Sequence, residues 1–317
     1  MNRRTIPNMD PEVSALCFGC GSLGTGAKGD TALRLIDDYV SVGGNFFDSA
    51  HCYAFWTPEG AGASERELGR CLRHLGIRDR CVVATKGGHP EGPGYPRPKD
   101  FLAETVLRQD IEDSLDRLGV DRIDLYFLHR DDGRTPVGEI IDRLNGEVAR
   151  GRIGFLGASN WSVERIAAAN TYAAETGQKG FVISQIQWGL AVPNWYSEEP
   201  GPDPVHRTVG LKEREFHRRT GLPIAAFSAT VSGYFAGNEG ANHLYDSEVN
   251  RRRRERAREV AGEIGATPNQ VALAWLLHHP FSVFPIFATN RPDHLNEILG
   301  AAQVRLAEDQ LGRLTVD

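Results

Sequence analysis

Eight short apolar runs, each separated from the next by a longer amphipathic stretch, constrain this chain more than any other feature. They occupy residues 15–19, 45–48, 81–86, 123–129, 153–159, 182–187, 224–227 and 282–286. Each is nearly continuous in apolar, often β-branched or aromatic side chains, the pattern of strands buried on both faces. The stretches between them have helical periodicity over residues 31–42, 64–75, 101–118, 137–150, 163–176, 269–278 and 292–302. In the third, Val106, Leu107, Ile111, Leu115 and Leu118 fall on one helical face. Asp30 stands where an N-cap is expected, and Ser64-Glu65-Arg66-Glu67 reads as a capping box. Gly43-Gly44 and Gly119 sit where helices should stop.

Strands alternating with helices imply parallel strands joined by right-handed crossovers. Eight such units close a (β/α)8 TIM barrel of the α/β class. The expectation is one barrel domain over residues 1–317, with long rim loops at 189–209 and 228–250. The rival is an open doubly wound sheet, which carries a glycine-rich turn between its first strand and first helix. Gly19-Cys20-Gly21-Ser22-Leu23-Gly24 has that spacing, yet Thr25-Gly26-Ala27-Lys28-Gly29 follows it instead of a helix.

A net charge of −6 gives no sign of a nucleic-acid partner. No apolar run is long enough to span a bilayer, and residues 1–10 are polar, so neither membrane anchoring nor a secretory signal is expected. Five cysteines, an odd number in a large chain, fit reduced thiols in a cytoplasmic protein. Cys17-x-x-Cys20 has no second pair, so these two are expected to be structural. The basic run 251–254 is expected to be a solvated helix face.

Several expected strands finish on polar side chains. The second ends in Asp48, the third in Lys86, the fourth in His129 and the fifth in Ser159-Asn160. Gln185 lies on the sixth, and Thr289-Asn290 follow the eighth. In a barrel these ends share one rim, the rim on which such enzymes work. Each group alone has an ordinary structural reading as a turn, an exposed charge or a core histidine. Together, they avoid a large burial penalty only by meeting one another.

The chemistry they allow is proton delivery. Tyr53, just past Asp48, is a weak acid at neutral pH, but an ammonium nearby stabilises its phenolate. Asp48 would keep Lys86 charged, and His129 would hold a carbonyl oxygen or share the proton. Such a set is useful when a hydride reaches the carbonyl carbon, which implies a nicotinamide.

The stretches Phe46-Phe47-Asp48-Ser49-Ala50-x-x-Tyr53, Val82-Val83-Ala84-Thr85-Lys86, Asp124-Leu125-Tyr126-Phe127-Leu128-His129 and Gly154-x-x-Gly157-Ala158-Ser159-Asn160 resemble, in order and spacing, the aldo-keto reductase family. The resemblance runs from about Ala15 to the C-terminus. It implies a catalytic tetrad of Asp48, Tyr53, Lys86 and His129. It also implies carboxamide contacts from Ser159, Asn160 and Gln185, and a nicotinamide stacked on Phe227, where most members have Tyr or Trp. Ser228, Ala229, Thr230 and Gly233 match the loop along the pyrophosphate, and Gly21, Ser22 and Leu23 the backbone near the nicotinamide ribose.

At the adenosine end Thr289, Asn290, Arg291 and Glu297 match. Ala288 and His294 replace the Lys and Arg of many NADPH-specific members, and Ile298 replaces an Asn. The implied cofactor is NADP(H), with NAD(H) open. Trp56, Trp161 and Trp188 are expected to wall the substrate pocket, with Trp195 in the long loop and His51, Arg130, Asp131 and Asp132 as polar neighbours. That mixture suits a sugar or another polar carbonyl, although the aromatics equally fit an ordinary apolar pocket or loop packing, and Asp131 and Asp132 a turn.

The implied partner is therefore a small carbonyl or alcohol substrate. Two other functions are compatible with the same residues: a cofactor-binding regulatory subunit with little turnover, and a Schiff-base aldolase acting through Lys86. No metal is expected, since no His-x-His or other dense ligand spacing appears at the strand ends.

Overall fold

In the computed structural model, which describes residues 1–196 and 207–315, the chain opens with an antiparallel hairpin. Its strands are β1 (Arg3–Ile6) and β2 (Met9–Ser14). Eight more strands follow: β3 (Cys17–Gly19), β4 (Phe46–Asp48), β5 (Val82–Gly87), β6 (Ile123–Leu128), β7 (Ile153–Ser159), β8 (Phe181–Gln187), β9 (Ile224–Phe227) and β10 (Val283–Phe287). They pair in parallel around a closed barrel in the order β10-β3-β4-β5-β6-β7-β8-β9. The expected runs coincide with these strands to within two residues at each end.

The helices are α1 (Asp30–Ser41), α2 (Ala63–Leu75), α3 (Glu104–Leu118), α4 (Val137–Ala149), α5 (Val163–Glu175), α6 (Leu211–Thr220), α7 (Asn242–Tyr245), α8 (Glu248–Ile264), α9 (Pro268–Leu277), α10 (Pro292–Gly300) and α11 (Glu308–Thr315). Most of the apolar core lies between barrel and helices, with Leu35, Leu68, Ile111, Leu144, Ile166 and Leu295 buried there. No described helix is long and apolar enough to cross a membrane.

The hairpin was not anticipated. Its Ile6, Met9 and Val13 join Cys17, Phe46, Val82, Leu125 and Phe284 in the cluster inside the barrel. Arg4 ties it down by donating to the carbonyls of Val283 and Leu277. It covers the mouth at the N-terminal ends of the strands, which leaves the opposite rim for a site. Its three apolar residues are split by the turn at Asn8, so they present no periodic signal.

Two expected caps are displaced. Asp30 lies inside the first turn of α1, while Gly29 takes the cap position at φ 61° and donates its N–H to Glu67. Helix α2 starts at Ala63 after left-handed Gly62, so Ser64 is not a cap. Its hydroxyl instead donates to the Cys20 carbonyl at 2.7 Å and meets Ser49 Oγ at 2.8 Å. Glu65 is buried and accepts from Thr85 and Arg117. Tertiary partners have taken the groups that local spacing assigned to capping.

Of the first expected rim loop, residues 197–206 lie outside the described residues. The second contains 3-10 turns at Val231–Ala236 and Glu239–Ala241, then α7 and the start of α8. The basic run lies in α8, and half of it is not a solvated face. Arg253 donates to the Leu190 carbonyl, and Arg254 stacks on the Tyr234 ring at 4.6 Å.

Candidate active site

Asp48 closes β4, and Lys86 lies near the end of the neighbouring β5, where Asp48 pairs in register with Ala84. Beyond Asp48 the chain stays attached to β5, as Ser49 N–H donates to the Ala84 carbonyl and His51 N–H to that of Lys86. A left-handed Ala54 (φ 77°) follows Tyr53, whose hydroxyl turns back over the strand ends.

Lys86 Nζ donates three hydrogen bonds: to Asp48 Oδ2 at 2.7 Å, to the Ser49 carbonyl at 2.7 Å and to Tyr53 Oη at 3.0 Å. Gln185, from the opposite side of the barrel, donates to Asp48 Oδ1 at 2.8 Å. Both oxygens of a buried carboxylate are thereby satisfied, as burial of that charge requires. His129, just past β6, places its ring 6.0 Å from that of Tyr53, edge-on at 76°. Cys52 Sγ lies 3.4 Å from His129 Nδ1.

Burial draws the Lys86 ammonium pKa down, but Asp48 and then Tyr53 more than reverse this, and the group ends well above the usual lysine range. For the Tyr53 hydroxyl, burial is again the largest influence and pushes its pKa up to about 12, with Lys86 opposing and Asp48 adding. Lys86 acts on Tyr53 with the expected sign, but desolvation outweighs it.

The residues matched to a cofactor lie around the same rim. Ser159 and Asn160 end β7, and Asn160 takes φ 59° and donates to Ser159 Oγ. Asn160 Oδ1 is buried and has no partner among the described residues. Phe227 closes β9, and Ser228, Val231, Ser232 and Gly233 all have positive φ. Ala229 is buried, and Thr230 precedes the 3-10 turn. Gly21 faces the Tyr53 ring, where a Cβ would stand 3.8 Å from Cε2. Ser22 accepts from Thr25 and Ala27 through its carbonyl, and Leu23 is buried.

Thr289, Asn290 and Arg291 follow β10. The exposed Arg291 pairs with Asp293 at 2.7 Å, and Glu297 accepts from Thr267 and Asn269 at the start of α9. Its carboxylate is thus part of a helix–helix contact, which the family match alone did not reveal.

The tryptophans divide. Trp56 is 58% exposed, and its ring lies 6.2 Å from that of Tyr53. Trp161 and Trp188 are buried and do not form an exposed wall. Trp161 packs edge-on against Phe181 and under Arg165, and Trp188 sits among Trp275, His279 and Phe281 in the helix layer. Large apolar rings beside strand ends found helices to pack on. His51 is also buried, bonded to Tyr95 at 2.7 Å and Asp113 at 3.1 Å. Asp132 accepts from the N–H groups of Arg134 and Thr135, and Asp131 from that of Gly133, so both cap the turn after His129.

The fold also assembles a group with no linear spacing. The ligand atoms of Cys52, His89 and His129 all lie within 4.8 Å of one another. Their grouping leaves no trace in spacing along the chain. Three separate βα connections meet only in three dimensions.

A closed parallel barrel that gathers its buried polar side chains on the C-terminal rim has the architecture of (β/α)8 enzymes. The model of the Aldo/keto reductase family matches residues 15–316, and the chain belongs to that family. It is accordingly an oxidoreductase. It is 28% identical to an uncharacterised oxidoreductase, YrpG, of Bacillus subtilis, over 95% of this chain and 91% of that one. It is 30% identical to probable aldo-keto reductase 1 of Glycine max, over 95% of this chain and 84% of the relative. Norsolorinic acid reductase A of Aspergillus parasiticus is 27% identical, over 98% and 79%. A thermostable aldo-keto reductase solved with the inhibitor epalrestat shares the fold, with a TM-score of 0.75 at 23% identity, covering 99% of this chain and 98% of that one.

Proposed function

We propose that this enzyme reduces an aldehyde or ketone on a polar small molecule, sugars included, with Tyr53 giving the proton and NADP(H) as the cofactor. The observation that carries the reading is Lys86 Nζ, which bridges Asp48 Oδ2 and Tyr53 Oη at 2.7 and 3.0 Å. Burial keeps Tyr53 protonated in the resting enzyme, so a proton is available to give. Lys86 then stabilises the phenolate left behind, inside a site where its charge is little screened. Asp48, held by Gln185, keeps that ammonium charged and aimed. His129, beside Tyr53, orients the carbonyl oxygen.

When bound, a reduced nicotinamide supplies the hydride. Asn160 Oδ1, buried without a partner, fits the amide donor of its carboxamide. The backbone from Ser228 to Gly233, at four positive φ values, fits a turn built to hold a ligand's phosphates. Arg291 would meet a 2′-phosphate, in competition with Asp293. The relative named a norsolorinic acid reductase supports reduction as the direction. Exposed Trp56 beside Tyr53 supports a substrate with a face to stack. The aldolase alternative is disfavoured, because a Schiff-base lysine needs a lowered pKa and Lys86 is raised.

Tyr53→Phe tests the assignment. It removes one oxygen from a packed ring and should slow carbonyl reduction by about 10²–10⁴-fold while NADPH still quenches protein fluorescence on binding. A variant reducing sugar and aryl aldehydes at near the parental rate would overturn it. Parental activity confined to apolar aryl carbonyls would overturn the polar-substrate part alone.

A further inference from the structure

The proposed proton delivery uses His129 and leaves its neighbours Cys52 and His89 without a role. Cys52 is buried in the Asp48–Tyr53 connection, and its sulfur lies 3.4 Å from His129 Nδ1. His89, in the connection after β5, packs edge-on against the His129 ring with centroids 4.8 Å apart. His89 Nδ1 lies 2.7 Å from the Pro90 carbonyl. A carbonyl only accepts, so Nδ1 carries the hydrogen and Nε2 carries the lone pair. An imidazole anchored by its other nitrogen to a backbone carbonyl is the arrangement that metal-binding histidines use.

One thiol and two imidazoles form a borderline-soft donor set, suited to zinc and its neighbours and poorly suited to magnesium or calcium. Tetrahedral zinc, with bonds of about 2.3 Å to sulfur and 2.0–2.1 Å to nitrogen, places its ligands roughly 3.3–3.6 Å apart. The Cys52–His129 separation of 3.4 Å already meets this. The widest separation in the triad, within 4.8 Å, closes by a shift of about 1 Å, and His89 is only half-buried. Three protein ligands leave a fourth position for water, as in zinc sites that are not purely structural.

We propose that Cys52, His89 and His129 form a site for a thiophilic divalent ion of the zinc class, and that occupation of this site switches reduction off. On binding, the S–H bond of Cys52 breaks, a sulfur–metal bond forms, the proton leaves to solvent and no electron is transferred. Burial pushes the Cys52 thiol pKa up to about 12, with Lys86 and Arg130 only partly opposing it, so the ion itself has to displace the proton. With the ion on its Nδ1, His129 can no longer turn. The ion and its water stand beside Tyr53, whose ring centroid is 6.0 Å from that of His129. The inhibition rests on the carbonyl-reduction reading above; the site itself does not.

The test uses the full chain, stripped of metal by chelator. Co²⁺ added to the parent should give a thiolate-to-cobalt charge-transfer band. The band should be lost in Cys52→Ser, weakened in His89→Ala and kept in Cys17→Ser, with thermal melts confirming that each variant is folded. Zn²⁺ should inhibit the parent reversibly. Its midpoint should rise at least about tenfold in Cys52→Ser and in His89→Ala, each measured against that variant's own zinc-free rate. The site is refuted by absence of the band in the parent or by its persistence in Cys52→Ser. The switch is refuted by a band without inhibition, or by an unchanged zinc midpoint in folded variants. The cobalt spectrum reads the site whether or not the chain reduces a carbonyl, so failure of one proposal is distinguishable from failure of the other.

Discussion

Replacing Lys86 by Met keeps most of the side-chain volume and removes a cation that touches both Asp48 and Tyr53. The ammonium is 1% exposed and makes three hydrogen bonds, so its loss strips Asp48 Oδ2, the Ser49 carbonyl and Tyr53 Oη of a donor together. Breaking one partner out of a buried ion pair costs about 3–5 kcal/mol. Asp48 keeps its bond from Gln185, so the lower end is expected for stability. The catalytic effect is separable. A hydrogen bond to a charged group is worth about 1.5–3 kcal/mol, and this one strengthens as the phenolate forms. The turnover number should therefore fall about tenfold to two-hundredfold, with the KM little changed.

Single-turnover loss of reduced-cofactor absorbance is the appropriate assay, run as a double-mutant cycle with Tyr53→Phe. If Lys86 acts through the tyrosine, its replacement should change the rate little once the hydroxyl is gone. The same rate loss in both backgrounds would refute the reasoning, because it would give the lysine a role independent of Tyr53.

Three further outcomes are expected. Gly69→Ala should destabilise the protein by about 2 kcal/mol in urea despite alanine's better helix propensity, because its Cβ would lie 2.3 Å from the Leu118 carbonyl oxygen, a backbone atom that cannot swing aside; a stabilised variant would contradict this. Buried His217 and half-buried His279 have pKa values lowered by burial to about 4, so between the usual 6.5 and 4 the unfolded chain binds more protons than the folded one. Stability should accordingly be complete above pH 6.5 and fall as the pH drops toward 4, by on the order of 3 kcal/mol per histidine. Urea midpoints across this range should show a shallower slope in His217→Phe, and an unchanged slope would count against the assignment. Arg291→Ala should weaken NADPH binding about tenfold and leave NADH binding unchanged by calorimetry; equal losses would remove Arg291 from the 2′-phosphate.

The eight strands and most of the helices were legible in the sequence because burial on both faces leaves a strand no choice but an apolar run, and period fixes the helical face. The rim assignment followed from the same rule, since Asp48, Lys86 and Gln185 interrupt apolar runs and must find one another; the structure joins them through bonds of 2.7 and 2.8 Å. Turn chemistry made Asp132 readable as a turn residue as well as a pocket residue. What the linear order could not hold were contacts made by one side chain across three connections. Ser64 leaves its capping role for Cys20 and Ser49, Trp161 and Trp188 bury themselves in the helix layer, and Ile6, Met9 and Val13 plug the barrel from a segment without periodicity. The gathering of Cys52, His89 and His129 has the same origin. Spacing along a chain specifies neighbours within one element, whereas barrel closure decides which connections meet, and desolvation, set by that closure, holds the Tyr53 hydroxyl above its usual pKa.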